Sequence, residues 1–186
     1  MQLNPYYTNR ELKEMGFKAL GRHVLISRTC RIYTPDKISI GSHVIIDDFT
    51  IMNGEISIGS YVHIGSNNEL YAGDSSITIE DFAGTSSRCT FYASSDDFSG
   101  AALHSPAVPK AYRNERHGPI VQEKYGVIGT GSIVLPGVRM GEGCSFGAMC
   151  LITRSTEPWG VYVAPARRMG ERKKDLLEFA KKLKCD

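Results

Sequence analysis

Four side chains capable of acid–base chemistry lie in one long interruption of an otherwise regular sequence. Asp96 and Asp97 are adjacent, and His104 and His117 follow within residues 92–127. A carboxylate acts as a general base near neutral pH only when burial or a neighbouring like charge raises its pKa, and an adjacent pair supplies such a charge. Long loops in compact repeats tend to be functional, and a solvated surface insertion is the alternative.

The other reactive side chains are interpreted as packing residues. The cysteines form an odd set without a CxxC pair, which favours reduced thiols over disulfides or a zinc site. They are Cys30, Cys89, Cys144, Cys150 and Cys185. His23, His43 and His63 lie early in the chain and are interpreted as structural. We therefore expect no metal.

Bulk composition excludes several classes of partner. The chain has 186 residues, 41% of them hydrophobic, which suffices for one main domain with a proper core. Lys and Arg total 22 against 20 for Asp and Glu, so the charge favours neither nucleic acid nor membrane. The sequence contains no apolar run of the roughly 20 residues that span a bilayer, and it opens without a leader pattern. We expect a cytoplasmic protein.

A six-residue period organises most of the chain. Its bulky anchors are Ile40, Ile46, Met52, Ile58, Ile64, Leu70, Ile79, Thr85, Phe91, Ile128, Val134, Met140, Phe146 and Ile152. A small or β-branched residue follows four positions after most anchors, and glycine follows several of them directly, including Gly41 and Gly129. A helix needs apolar spacings of three and four, and an alternating strand needs a period of two. The period therefore indicates a stack of short strands separated by tight corners.

Such a stack predicts an all-β fold, a left-handed parallel β-helix with three strands in each triangular coil. The prism exposes strand edges at both ends, so covering segments are expected there. The predicted organisation is an N-terminal capping segment at 1–22 with a short helix, the β-helix at 23–166, an inserted loop at about 97–120 and a C-terminal helix at 167–186.

A resemblance to a known family covers the segment from Val127 to Met169. It reads VIGTGSIVLPGVRMGEGCSFGAMCLITRSTEPWGVYVAPARRM and resembles the C-terminal coils of the hexapeptide-repeat acetyltransferases, which include galactoside, maltose, serine and xenobiotic acetyltransferases. The family's closing Gly-Asn-Pro-Ala is here Val-Ala-Pro-Ala at 163–166. The SSDDFSG segment, followed by VPKAYR and GPI, resembles a branch that modifies sugars of surface polysaccharides.

The resemblance implies an acyltransferase that moves an acetyl group from acetyl-CoA to a hydroxyl or amine of a sugar, including nucleotide-linked sugars for O-antigen or capsule. It also implies a homotrimer with the donor between subunits. The implied contacts to the pantetheine arm and phosphates are Thr130, Ala148, Thr153, Arg154, Arg167 and Arg168, with Arg172 in reach. Arginine forms charge-assisted bonds to phosphates, and a solvated rim is the alternative. Trp159 could stack on adenine or pack the last coil.

The identity of the general base is open at this stage. The family usually supplies a histidine where the repeat gives way to the loop, and residues 94–97 read Ser-Ser-Asp-Asp instead. Asp96 or Asp97 replaces it, or His104 or His117 folds back, or a neutral amine acceptor needs little help. Direct transfer through a ternary complex is expected, because no well-placed nucleophile is evident.

Two alternatives to an acyltransferase follow from the same repeat. A non-catalytic scaffold for assembly or sugar binding fits the missing histidine and the altered closing motif. A zinc enzyme resembling the carbonic anhydrases of this fold would need three histidines at a subunit interface, and only His104 and His117 are near each other in sequence.

Overall fold

A computed structural model describes residues 5–171 together with 173, 174, 177 and 181. Its regular structure is almost all short β-strand, with one α-helix and two 3-10 turns. The elements are α1 Asn9–Glu14, β1 Ala19–Leu20, β2 Val24–Ile26, β3 Arg31–Ile32, the turn Pro35–Lys37, β4 Ile38–Ile40, β5 Val44–Ile46, β6 Ile51–Ile58, β7 His63–Ile64, β8 Glu69–Ile79, β9 Gly84–Thr85, β10 Thr90–Tyr92, β11 Ser94–Ser95, the turn Lys110–Tyr112, β12 Arg116–His117, β13 Ile120–Gln122, β14 Val127–Ile128, β15 Ile133–Val134, β16 Arg139–Met140, β17 Ser145–Phe146, β18 Leu151–Ile152, β19 Gly160–Val163 and β20 Arg167–Glu171. Among the described residues, no helix has the length and apolarity to cross a bilayer.

The strands form a left-handed parallel β-helix with three faces, as the period predicts. The first face contains β2, β5, β7, β9, β14, β17 and β19, and the second contains β3, β6, β8, β10, β15 and β18. The third contains β1, β4, β6, β8, β13 and β16, because the long strands β6 and β8 bend around the corner between the second and third faces. Each coil thus satisfies the backbone hydrogen bonds of the next.

The anchors form the core. Every anchor of the six-residue period is buried, and equivalent anchors pair in register, for example Ile46 with Ile64 and Ile128 with Phe146. The glycines that follow the anchors allow the coils to approach closely. A Cβ on Gly129 would lie 2.6 Å from the backbone of Gly147 in the next coil. The sequence prediction of tight, side-chain-free corners is therefore confirmed.

A column of aromatic rings runs along the corner between the third and first faces. Its members all have φ near +60°: His23, His43, Tyr61, Phe82, Tyr125 and Trp159. Neighbouring rings stack with centroids 4.7 to 6.3 Å apart. This left-handed conformation costs an L-residue about 1–2 kcal/mol, and aromatic stacking offsets part of that cost. We call this set the aromatic column.

The predicted ends of the β-helix differ from the structure in two places. Strand β1 already belongs to the third face, although the capping segment was placed at 1–22. The turn Pro35–Lys37 lengthens the first coil and hides the spacing between Leu20 and Ile40. Residues 167–171 form strand β20 rather than helix, because this strand pairs with the otherwise exposed edge of β19. Most of the remaining predicted helix lies outside the described residues.

The inserted loop is bounded by a small hairpin. Strands β11 and β12 pair antiparallel, with Ser94 opposite His117 and Ser95 opposite Arg116. The third face then resumes at β13, where Gln122 occupies an anchor position. Its buried amide donates to the carbonyl oxygens of nearby corners, so the apolar period is interrupted there without loss of the coil. The loop therefore leaves and rejoins the prism at the corner between the second and third faces.

Candidate active site

The loop forms a cleft with the coils that follow it. The cleft has a volume of about 470 Å³ and lies at the corner between the second and third faces. Its lining comprises Ser95, Asp96, Asp97, Phe98, Asn114, Glu115, Arg116, Leu135, Pro136 and Thr153. Both ends of the loop thus supply polar groups, while two further coils supply an apolar floor and a hydroxyl. We call this the loop cleft.

Two of its carboxylates are held by backbone N–H groups. The N–H of Ser99 donates to Asp97 Oδ1 at 2.7 Å, and the N–H of Ser105 donates to Asp96 Oδ2 at 3.4 Å. Hydrogen bonds from Ser99 lower the pKa of the Asp97 carboxyl. Asp97 is therefore an anion at neutral pH and is suited to hold a positively charged group.

The third carboxylate, Glu115, connects the loop cleft to a charged cluster behind it. It forms an ion pair with Arg113, and these side chains are only 19% and 16% exposed. Its Oε2 lies 3.5 Å from Nε2 of His117, and Nδ1 of His117 lies 2.9 Å from the hydroxyl of Ser94. Asp74 approaches the same cluster and forms an ion pair with Lys110 at 2.6 Å. The Lys110 ammonium holds the pKa of Asp74 below its usual value.

The structure separates the four acid–base candidates of the sequence. Asp96 and Asp97 line the loop cleft, whereas His104 is exposed and lies outside the cleft lining. His117 also lies outside that lining but contacts it through Glu115. The two aspartates are therefore the candidates with direct access to a bound acceptor.

The implied donor contacts fall at two corners. Thr130 and Ala148 are exposed in consecutive coils at the corner between the first and second faces, where the Thr130 hydroxyl donates to the Ser87 carbonyl at 2.7 Å. Thr153 is shared between the loop cleft and a second hollow of about 250 Å³, which Arg154 also lines. Strand β18 separates these two corners in one chain.

The remaining implied phosphate contacts lie on or beyond β20. Arg168 is exposed and lies 3.5 Å from Glu171. The backbone of Arg167 belongs to β20, while its side chain and the whole of Arg172 lie outside the described residues. Trp159 is buried and stacks on Tyr125, so the packing alternative is confirmed for it.

The described cysteines are packed as predicted. Cys30, Cys89, Cys144 and Cys150 are free and buried, and Cys185 lies outside the described residues. Burial raises the pKa of the Cys30 thiol to about 11 and also raises the pKa of Cys89 and Cys150. These thiols are therefore protonated and inert at neutral pH, which agrees with direct transfer.

Sequence reasoning missed part of the site. Asn114, Glu115 and Arg116 line the loop cleft, yet no period marks them, and only the alternation of charged residues before GPI was available as a signal. It also missed a shallow cleft of about 560 Å³ on the first face. There Nε2 of His63 lies 2.8 Å from Oδ2 of Asp47, so this half-exposed histidine points outward instead of joining the aromatic column.

Comparison with known proteins shows what kind of enzyme this site belongs to. No protein-family model matches the chain. Over 178 residues, the chain is 40% identical to a dTDP-4-amino-4,6-dideoxy-D-glucose acyltransferase of Escherichia coli, with 94% of this chain and 92% of that protein covered. The chain belongs to the hexapeptide-repeat sugar acyltransferases. It is an acyl-CoA-dependent enzyme that acts on a sugar, as the resemblance implied, and the scaffold and carbonic anhydrase alternatives are not favoured.

Solved structures of this family agree with the fold. AntD, an N-acyltransferase from Bacillus cereus in complex with dTDP and coenzyme A, is 42% identical with a TM-score of 0.96, and 99% of this chain and 100% of that chain are covered. A complex of AntD with dTDP and 3-hydroxybutyryl-CoA superposes with a TM-score of 0.95 at 42% identity, with 98% of each chain covered. A hexapeptide-repeat acetyltransferase from Vibrio cholerae, 20% identical with a TM-score of 0.61 over 89% of this chain and 76% of that chain, shares the fold.

Proposed function

We propose that this acyltransferase modifies the amino group of a nucleotide-linked sugar, a dTDP-4-amino-4,6-dideoxyhexose. The observation that carries the proposal is the set of three carboxylates in the loop cleft, Asp96, Asp97 and Glu115. An amino sugar is cationic at neutral pH and is complementary to such a lining, whereas a hydroxyl acceptor carries no charge. The E. coli relative and AntD act on or bind ligands of this chemistry.

The proposed roles follow from the hydrogen bonds of the two aspartates. Asp97, whose pKa is lowered, holds the amino group. Asp96, which lines the same cleft, takes the proton that the nitrogen must lose before it attacks the thioester carbonyl. The C–N bond then forms, the C–S bond breaks, and coenzyme A leaves as the thiol. His104 and His117 remain candidates from the sequence, but neither lines the cleft.

We propose that the acyl-CoA arm passes Thr130, Ala148 and Thr153, with its phosphates near Arg154, Arg167 and Arg168. Thr153 supports this path because it borders both the loop cleft and the hollow lined by Arg154. The small side chains at these positions leave room for a thin pantetheine arm. The transferred group is an acetyl group or a longer acyl group, such as the 3-hydroxybutyryl group bound to AntD.

We further propose a homotrimer, as the family resemblance implies. Several large apolar side chains that flank the corner between the first and second faces are exposed: Ile45, Phe49, Val127, Ile133, Met149 and Leu151. Thr130 and Ala148 lie at the same corner, so a neighbouring subunit packed there would enclose the donor. The substrates, an acyl-CoA and a nucleotide sugar, place the reaction in the cytoplasm, with surface polysaccharide as the destination of the product.

A matched pair of acceptors tests the proposal. Purified enzyme with acetyl-CoA is offered dTDP-4-amino-4,6-dideoxyglucose or dTDP-6-deoxyglucose, which differ only in the group at C4. Thiol release and product mass are expected to show transfer to the amine alone, and the Asp97→Asn variant is expected to raise the KM for the amine. Transfer to the hydroxyl sugar, or none to the amine, would contradict the proposal. Light scattering of the same sample gives the subunit number.

A further inference from the structure

Three charged side chains follow one side of the segment that leads back to the β-helix. Arg113, Glu115 and His117 alternate along extended backbone, so their side chains share a side. Arg113 pairs with Glu115, and Glu115 Oε2 lies 3.5 Å from His117 Nε2. Glu115 lines the loop cleft, while His117 lies behind it and remains about one-third exposed. The pair therefore connects the cleft with solvent.

The hydrogen bonds of Ser94 set the tautomer of His117. The Ser94 hydroxyl donates its single proton to the carbonyl oxygen of Ala72 at 3.2 Å. It must then accept from Nδ1–H of His117, at 2.9 Å. Neutral His117 consequently presents the lone pair of Nε2 to a carboxylate oxygen of Glu115. Two acceptors face each other, and a proton between them would turn this contact into a charge-assisted hydrogen bond.

The surrounding charges keep this position available for a proton. Arg113 holds Glu115 as an anion, and Lys110 neutralises Asp74, the other carboxylate near His117. Asp74, Glu115 and His117 could together approach a metal ion, since their ligand atoms lie within 4.8 Å of one another. Both carboxylates are already paired with cations, however, and this arrangement favours a proton over a divalent metal.

We propose that Glu115 and His117 form the proton exit of the acyl transfer. The inference rests on the proposed amine acceptor. The ammonium form of the acceptor loses two protons during amide formation: one ends on the coenzyme A thiol, and the other is released. The released proton passes from the cleft to Glu115 Oε2, then to His117 Nε2, and from the exposed histidine to solvent. Glu115 touches the cleft, and His117 is a positioning residue that acts through it.

The test compares Glu115→Gln, His117→Ala and the double variant. Each single change is expected to lower kcat on the order of 100-fold, with the KM for acetyl-CoA unchanged. The double variant is expected to be no slower than the slower single variant, because both residues serve one step. Added imidazole is expected to restore much of the rate of His117→Ala and none of the rate of Glu115→Gln. Tyr112→Ser, in an exposed part of the same loop, serves as the matched control.

Several outcomes would overturn the proton exit. Normal kcat in both single variants, multiplicative losses in the double variant, or a loss confined to KM would each do so. Loss of wild-type activity on dialysis against EDTA would point to a metal at Asp74, Glu115 and His117 instead. These results leave the proposed function intact as long as the wild-type enzyme acylates the amino sugar. Wild-type enzyme that acylates only hydroxyl sugars would instead contradict the proposed function itself.

Discussion

Substitution of Phe82 tests whether ring stacking holds a corner of the β-helix in a left-handed backbone conformation. Phe82 has a φ of 58°, and its ring lies 4.9 Å from that of Tyr61 and 5.5 Å from that of Tyr125. The conformation costs about 1–2 kcal/mol, and each stacked pair contributes about 0.5–1.5 kcal/mol beyond buried area. The two stacks are therefore of the size needed to offset the backbone cost.

Alanine and glycine at this position separate the two effects. Phe82→Ala loses both stacks and keeps the backbone cost, so we expect a loss of about 1–3 kcal/mol plus the lost burial. Phe82→Gly loses the stacks but removes the backbone cost of about 1–2 kcal/mol, against about 0.5–1 kcal/mol of added chain entropy in the unfolded state. We expect the glycine variant to be the more stable by about 0.5–1 kcal/mol.

Urea unfolding, followed by circular dichroism at one fixed protein concentration, measures the difference. Ala19→Gly is the matched control, because Ala19 is exposed in strand β1 with an ordinary backbone conformation. There glycine should be the less stable residue by about 0.5–1 kcal/mol. If Phe82→Ala proved more stable than Phe82→Gly, backbone strain at this corner would be refuted.

Three further changes test the phosphate contacts, the stacking of coils and the N-terminal helix. Replacing Arg154 and Arg167 together with alanine should raise the Kd for coenzyme A at least tenfold, about 1.4 kcal/mol, in isothermal titration. Gly129→Ala should lower the free energy of unfolding by about 1–3 kcal/mol in urea, since its Cβ would lie 2.6 Å from the next coil. Hydrogen bonds from Arg28 lower the pKa of Glu11 from 4.5 to about 2. The stability from Glu11 is therefore complete above pH 4.5 and is lost as the pH falls towards 2, which hydrogen exchange of the helix amides would detect.

Each of these predictions has a control in the same chain. Arg10→Ala, on the exposed N-terminal helix, should leave the Kd for coenzyme A unchanged. Gly170→Ala should leave stability unchanged, because an added Cβ meets no atom within 4 Å. Glu11→Gln should remove the acid sensitivity of the helix. An unchanged Kd, a fully stable Gly129→Ala variant, or an acid response that persists in Glu11→Gln would each contradict the corresponding argument.

The fold could be predicted because its core repeats. Each coil buries the same positions, so residues such as Ile64 and Ile128 mark the period without knowledge of tertiary contacts. The period fails where a side chain finds another way to be buried. Gln122 satisfies its amide with corner carbonyl groups, so an anchor position is polar and the third face is not recognisable there.

The site could be predicted only in part. Asp96 and Asp97 stand next to the end of the repeat, so their place at the loop cleft follows from the sequence. Glu115 reaches the same cleft from the other end of the loop, and the pairing of β11 with β12 that brings it there depends on two short polar strands without a pattern. The outward position of His63 was missed because a single residue in a strand can face either side.

The aromatic column was not foreseen because single-residue propensities oppose it. Residues with φ near +60° are normally glycine or asparagine. A ring such as Tyr61 adopts this conformation only because equivalent rings lie above and below it. The column is therefore a property of the stacked coils and cannot be recognised in any one coil.

The uninterrupted register across the inserted loop makes the loop an exchangeable cassette. Phe91, before the loop, pairs with Leu70 below it and with Val134 above it, as though the intervening residues were absent. The hairpin closes at Ser94 and His117, so residues 96–115 can vary in length and sequence without any change to the coils. Acceptor recognition and donor binding can thus diverge independently: grafting this stretch from a relative should transplant its choice of sugar while the host retains its own acyl donor.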